Sequence, residues 1–64
     1  MEKIDTIKSF TGKILGHIYR SGDEFAFDHV GSGKFQGGFN TASDAYEAFD
    51  VFHDEYFENL TTVN

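Results

Sequence analysis

The stretch that most constrains this chain is Thr41 to Leu60, TASDAYEAFDVFHDEYFENL. Wound at about 100° per residue, it places Ala42, Ala45, Ala48, Phe49, Phe52, Tyr56 and Leu60 on one stripe. Glu47, Asp50, Asp54 and Glu58 fall opposite, which is the pattern of an amphipathic helix. Thr41 is placed to accept the amide hydrogen of Asp44 in an arrangement close to a capping box, and Asp44 and Glu47 complement the positive end of the helix dipole. An apolar stripe of this kind needs a second layer to cover it, and the residues before Thr41 must supply that layer.

From Lys13 the apolar period changes to two. KILGHIYR, DEFAFDHV and KFQGGFN read as strands at about 13–20, 24–30 and 34–39, joined by Ser21-Gly22 and by Gly31-Ser32-Gly33. With Ser21-Gly22 as a two-residue turn, Ile18 faces Phe25, Gly16 faces Phe27 and Ile14 faces His29. The second loop then pairs His29 with Phe35, Phe27 with Gly37 and Phe25 with Phe39. Both registers put Ile14, Ile18, Phe25, Phe27, Phe35 and Phe39 on one face, with Gly16 and Gly37 leaving room for the Phe27 ring. Lys13, Leu15, His17, Tyr19, Glu24, Ala26, Asp28, Val30, Lys34 and Gln36 take the other face.

The expected fold is therefore α+β: a three-stranded antiparallel sheet packed on one C-terminal amphipathic helix, about 41–60, in a single small domain spanning 1–64. Residues 1–11 read two ways. Met1, Ile4, Ile7 and Phe10 recur every third residue, which suits a short N-terminal helix or turn packed on the core, whereas Thr6, Ile7, Phe10 and Thr11 also tolerate an extended edge segment. The short helix or turn is the expectation.

A domain of 64 residues without cysteine has no disulfide framework, so its stability comes from packing. Eight Phe and three Tyr are the source, each ring removing about 150–250 Å² from water when buried. Dimerisation would add to so small a core, so a homodimer is one expectation. The start MEKIDTIKSFTG has no apolar run of the signal-peptide kind, and no stretch approaches the roughly 20 apolar residues of a membrane span; a cytoplasmic location is expected.

The motifs that could carry chemistry fail on context. Gly31 to Gly38, GSGKFQGG, has the composition of a phosphate loop, but a phosphate loop leads into a helix with Ser or Thr after the Lys, and here Phe35 follows and a strand begins. Asp50 and His53 share a helix face without a second pair to complete a metal site, and His17 and His53 are expected in solvent, with His29 at the rim of the core. Ser9, Ser21, Ser32 and Ser43 sit where turns and caps want them. No cofactor, no metal and no enzymatic activity are expected.

Charge is the informative feature that remains. The formal net charge is -6, and since residues 1–40 carry five basic and five acidic side chains, all of it sits on Asp44, Glu47, Asp50, Asp54, Glu55 and Glu58. These span about 21 Å of helix axis, or roughly one charge per 3.5 Å, close to the roughly 3.4 Å axial spacing along one DNA strand. Neighbouring like charges cost a few tenths of a kcal/mol each, and Asp54, Glu55 and Glu58 oppose the dipole, so a helix selected only for stability would mix in Lys or Arg. The same ridge could equally serve as a solvated face that keeps the domain soluble. Tyr46, His53 and Phe57 border the ridge beside Asp50, and Tyr46 and Phe57 would serve as aromatic anchors for a partner.

Two resemblances follow from these residues. The plan of three strands and a helix, with Gly38-Phe39-Asn40-Thr41 and Ala45 at the junction, resembles the arm-binding domains of phage integrases and AP2-like DNA-binding domains. That likeness implies DNA contact through the outer sheet face, here Lys13, His17, Tyr19, Arg20, Lys34 and Gln36, interrupted by Glu24 and Asp28. In size and charge the chain is also similar to the small acidic DNA-mimic inhibitors of phages and mobile elements, such as anti-CRISPR and anti-restriction proteins. That likeness implies that the ridge occupies a basic nucleic-acid-binding site on a host defence protein, without membrane or direct nucleic-acid contact. Inhibition by DNA mimicry is the leading expectation; a sheet-face DNA-binding module and a structural or dimerisation domain are the alternatives.

Overall fold

The computed structural model describes residues 1–61, with side chains as far as Asn59. Four strands precede one helix: β1 (Glu2–Lys8), β2 (Ile14–Ser21), β3 (Glu24–His29), β4 (Lys34–Phe39) and α1 (Ala42–Thr61). The strands form one antiparallel meander in the order β1-β2-β3-β4, and the helix lies across one face, chiefly over β3. The fold is α+β in two layers, as the periodicities require.

The sheet has four strands, not three, because residues 1–11 supply an edge strand and not a short helix. The every-third-residue spacing of Met1, Ile4, Ile7 and Phe10 is not a buried stripe: only Ile7 reaches the core, while Met1 is 74 %, Ile4 42 % and Phe10 102 % exposed. The backbone of β2 would otherwise present unpaired hydrogen-bonding groups at a sheet edge, and the β-branched run around Ile4 to Ile7 satisfies them.

Strand register decides which side chains face the helix. Gly22 opens the β2–β3 turn with φ of 63° while Asp23 keeps negative φ, which matches a II′ turn centred on Gly22-Asp23 and not on Ser21-Gly22. The pairing is therefore Ile18 with Phe27 and Gly16 with His29, two residues from the expected register. A two-residue shift keeps every side chain on its face. Between β3 and β4 the shift is one residue: Asp28 pairs with Phe35 and His29 with Lys34, whereas Phe25 still pairs with Phe39. The extra residue is absorbed at Gly37-Gly38, where Gly38 has φ of 86°, so a bulge separates a slipped half from an unslipped one. As a result Phe35 turns to the outer face, 51 % exposed and against Tyr19, and Lys34 turns to the helix side with its ammonium 5.1 Å from the centre of the Phe52 ring. A second irregularity, in the β1–β2 pairing next to Leu15, packs Leu15 against the core and leaves Ile14 44 % exposed, the reverse of the expected pair.

The core is small and aromatic. Ile18, Phe27, Ala45 and Phe49 are fully buried, with the Phe49 ring edge-on to Phe27 at 5.7 Å and Phe39 stacked on its other side at 6.0 Å. Each of the large side chains contributes about 2–3 kcal/mol by leaving water. Gly16 is what lets the helix come this close: a Cβ there would collide with the Asp28 carbonyl oxygen and the Phe49 ring. Thr41 Oγ1 accepts the Asp44 amide hydrogen at 3.1 Å, the expected cap, and Ala45, Phe49, Phe52 and Tyr56 form the inward stripe. The Leu60 side chain of that stripe lies outside the described residues.

Candidate functional site

The carboxylates of Asp44, Glu47, Asp50, Asp54, Glu55 and Glu58 are all at exposed positions of α1, and no Lys or Arg shares the helix. Packing divides them between two flanks and a crest. Asp44, Glu47 and Glu55 line a groove against β4, where Lys34 and Gln36 form the opposite wall and Val51 contributes a half-exposed apolar side chain. Asp54 and Glu58 lie on the other flank with His53 and Phe57. Of the two expected anchors, Phe57 is 59 % exposed, while Tyr46 is half-buried and its hydroxyl donates to the Asp5 carboxylate, tying α1 to β1. That bond, with burial and the Asp5 charge, raises the Tyr46 phenol above its ordinary range.

The outer sheet face is an aromatic and acidic surface. His17 Nδ1 lies 2.9 Å from one Asp28 oxygen, and the Tyr19 hydroxyl donates to the other at 2.7 Å. Burial pushes the Asp28 carboxyl upward, but the bonds from Tyr19 and His17 and the His17 charge outweigh it and hold the group below its usual value. His17 is thus not simply solvated. The basic set required for groove contact is not assembled here: Lys34 and Gln36 lie on the helix side, and Arg20 Nε donates to the Gly22 carbonyl at the turn.

At the end of the sheet formed by the β1–β2 and β3–β4 loops, the fold joins two histidines that the sequence reading kept apart. His29 is 2 % exposed, not at a rim, and its Nε2 lies 2.9 Å from His53 Nδ1, so His53 is not solvated. The Ser32 amide donates to His29 Nδ1 at 3.2 Å, which makes Nδ1 an acceptor and assigns the ring proton to Nε2, from which it is donated to His53. The Tyr56 ring stands edge-on to His29 at 4.7 Å, and its hydroxyl donates to the Gly31 carbonyl at 3.1 Å. Burial, then the His53 charge, lowers the His29 pKa, against a smaller opposing effect of Asp28. These groups back a cleft of about 370 Å³ walled by Ile14, Leu15, Val30, Tyr56 and Phe57. The sequence signal for the pair was indirect: His29 shares the inward parity of Phe27, and His53 follows Phe49 by one helical turn.

Among the described residues no group of three His, Cys, Asp or Glu side chains could hold a metal ion, and no helix is long and apolar enough to cross a membrane. Comparison with protein-family models, with curated proteins and with solved structures finds no match. Geometry and charge carry the functional reading.

Proposed function

We propose that the outward face of α1 binds a basic protein surface of the kind that otherwise holds a nucleic-acid backbone, and that this contact blocks the partner. The protein is then a DNA-mimic inhibitor of the anti-defence class, acting by occupancy and not by catalysis. The observation that supports this reading is the single-signed face itself: six carboxylate side chains at exposed positions on one helix whose inward residues, Ala45 and Phe49, are buried to 1 % or less. Because the sheet holds the helix in place, the charges are presented without a backbone ordering cost at the moment of binding, and Val51 and Phe57 add apolar contact beside them. The sheet-face DNA-binding reading is weaker, since Lys34 has left that face and the Asp28 carboxylate stands at its centre.

The test is retention of a basic nucleic-acid-binding protein from a bacterial lysate at about 50 mM salt, its release at about 500 mM, and its displacement by duplex DNA. Asp50→Lys with Asp54→Lys should abolish retention while leaving the fold intact. Undiminished retention by that double variant removes the ridge from the mechanism.

A further inference from the structure

We propose that the cleft at the loop end of the sheet binds a small apolar carboxylate, its hydrocarbon body among the apolar walls and its anionic head on Lys13 and His53. Ile14, Leu15 and Val30 wall the cleft from the sheet side, and Tyr56 and Phe57 from α1. The volume of about 370 Å³ falls in the range of small-molecule sites, which combine apolar walls with a few fixed polar groups. These walls are joined to one another before any ligand arrives. The Val30 amide donates to the Leu15 carbonyl at 2.9 Å, the Ser9 amide to the Lys13 carbonyl at 2.8 Å, and the Tyr56 hydroxyl to the Gly31 carbonyl at 3.1 Å. Gly31 has no side chain to press on this arrangement: a Cβ there would lie 3.3 Å from the Tyr56 ring and 3.4 Å from His29 Cε1. A hole built in this way loses little freedom when it is filled.

The polar groups select an anion. Lys13 is the one lining residue with a formal charge, and among the described residues its side chain makes no ion pair. No carboxylate lines the cleft; Asp54 and Glu58 belong to a separate depression that shares only His53 and Phe57 with it. The second polar group is a donor whose sense is determined by a hydrogen-bond chain. The Ser32 amide and hydroxyl meet His29 Nδ1 at 3.2 and 2.9 Å, and His29 Nε2 donates to His53 Nδ1 at 2.9 Å. The neutral His53 ring therefore carries its own proton on Nε2, for which no acceptor is found among the described residues. A carboxylate head accepts from Nε2 and from the Lys13 ammonium, two charge-assisted bonds that an alcohol of the same body cannot match. The walls supply affinity and the two donors orientation. None of the six ridge carboxylates lines the cleft, so this site does not depend on the reading of the ridge.

The test is a titration of the full chain followed by amide NMR correlation spectra. The net charge of -6 opposes any anion at long range, so the salt is held at about 0.1 M, where that repulsion is screened beyond about 10 Å. The probes are naphthoate and octanoate, with naphthalenemethanol and octanol as their neutral counterparts. At least one carboxylate should move the amides of Leu15, Val30, Gly31 and Phe57 with Kd on the order of 0.1–1 mM, at least about threefold tighter than its alcohol. The tighter of the two identifies the preferred body as aryl or alkyl. Lys13→Met keeps the side-chain stem and should weaken the carboxylate at least about threefold while leaving the alcohol unchanged. Val30→Glu, at a position 53 % exposed, should abolish carboxylate binding with the melting temperature retained. Absence of localised shifts with either carboxylate up to about 10 mM overturns the proposal. An alcohol bound as tightly as its carboxylate, or a carboxylate indifferent to Lys13→Met, overturns it equally, because the hole then does not select an anion.

Discussion

Burial favours the neutral form of the His29 imidazole, and this gives the residue a measurable signature. Burial and His53 hold its pKa down in the folded chain, so the unfolded chain takes up a proton that the folded one resists. Stability is full above the unfolded histidine value of about 6.5 and falls as pH drops below it toward the folded value. Thermal melts should shift downward between about pH 7.5 and pH 5, and His29→Leu should flatten that dependence although it lowers the midpoint at pH 7.5. A wild-type midpoint level across the window would contradict the assignment. On the other face, Asp28 is a lowered carboxylate, so its contribution is present above about pH 3.9 and is lost as pH falls. Asp28→Asn removes the charged acceptor from Tyr19 and His17 and should cost about 1–3 kcal/mol in urea unfolding at pH 7.

Among the elements, β2 and β4 use glycine for opposite reasons. Gly16 is a steric requirement of the α1 contact, so Gly16→Ala should cost about 2–3 kcal/mol, a large share of the roughly 3–10 kcal/mol available to a domain this size. At Gly37 an added Cβ would meet Ala26 at 3.4 Å, an ordinary contact, and Gly37→Ala should change stability by less than about 0.5 kcal/mol. Paired denaturation curves check both; equal losses would mean that the helix does not rest on Gly16. The room ascribed to Phe27 in the sequence was thus correctly placed at Gly16 but is used by Phe49. Gly37 reads in the sequence as space for a ring, yet Gly37 and Gly38 as adjacent strand glycines are also a bulge signal, and the bulge is what turns Phe35 outward. The apolar alternation of β4 carries no record of that slip, because Phe35 and Phe39 share a parity and only the long-range pairing separates them.

For the whole molecule the issue is a helix whose charges repel. Asp50→Asn with Asp54→Asn should raise the free energy of unfolding in urea by a few tenths to about 1 kcal/mol, as i,i+4 repulsion is relieved. The same pair should weaken partner binding, since stability and binding draw on the same carboxylates with opposite sign. A double variant that is destabilised would instead assign these side chains to holding the fold.

The extent of α1, its Thr41 cap, its Ala45/Phe49/Phe52 stripe and its outward acidic face were legible in the sequence, because helix periodicity and capping are set by residues within a turn or two of each other. The alternation that marks β2, β3 and β4 was legible for the same reason. Register was not, since it depends on where a turn or bulge absorbs a residue. Nor was the N-terminal strand, whose role exists only because β2 offers it an edge. The His29–His53 pair and the cleft beside it join positions 24 residues apart along the chain. No local pattern encodes such a meeting: it is decided by the packing of helix on sheet.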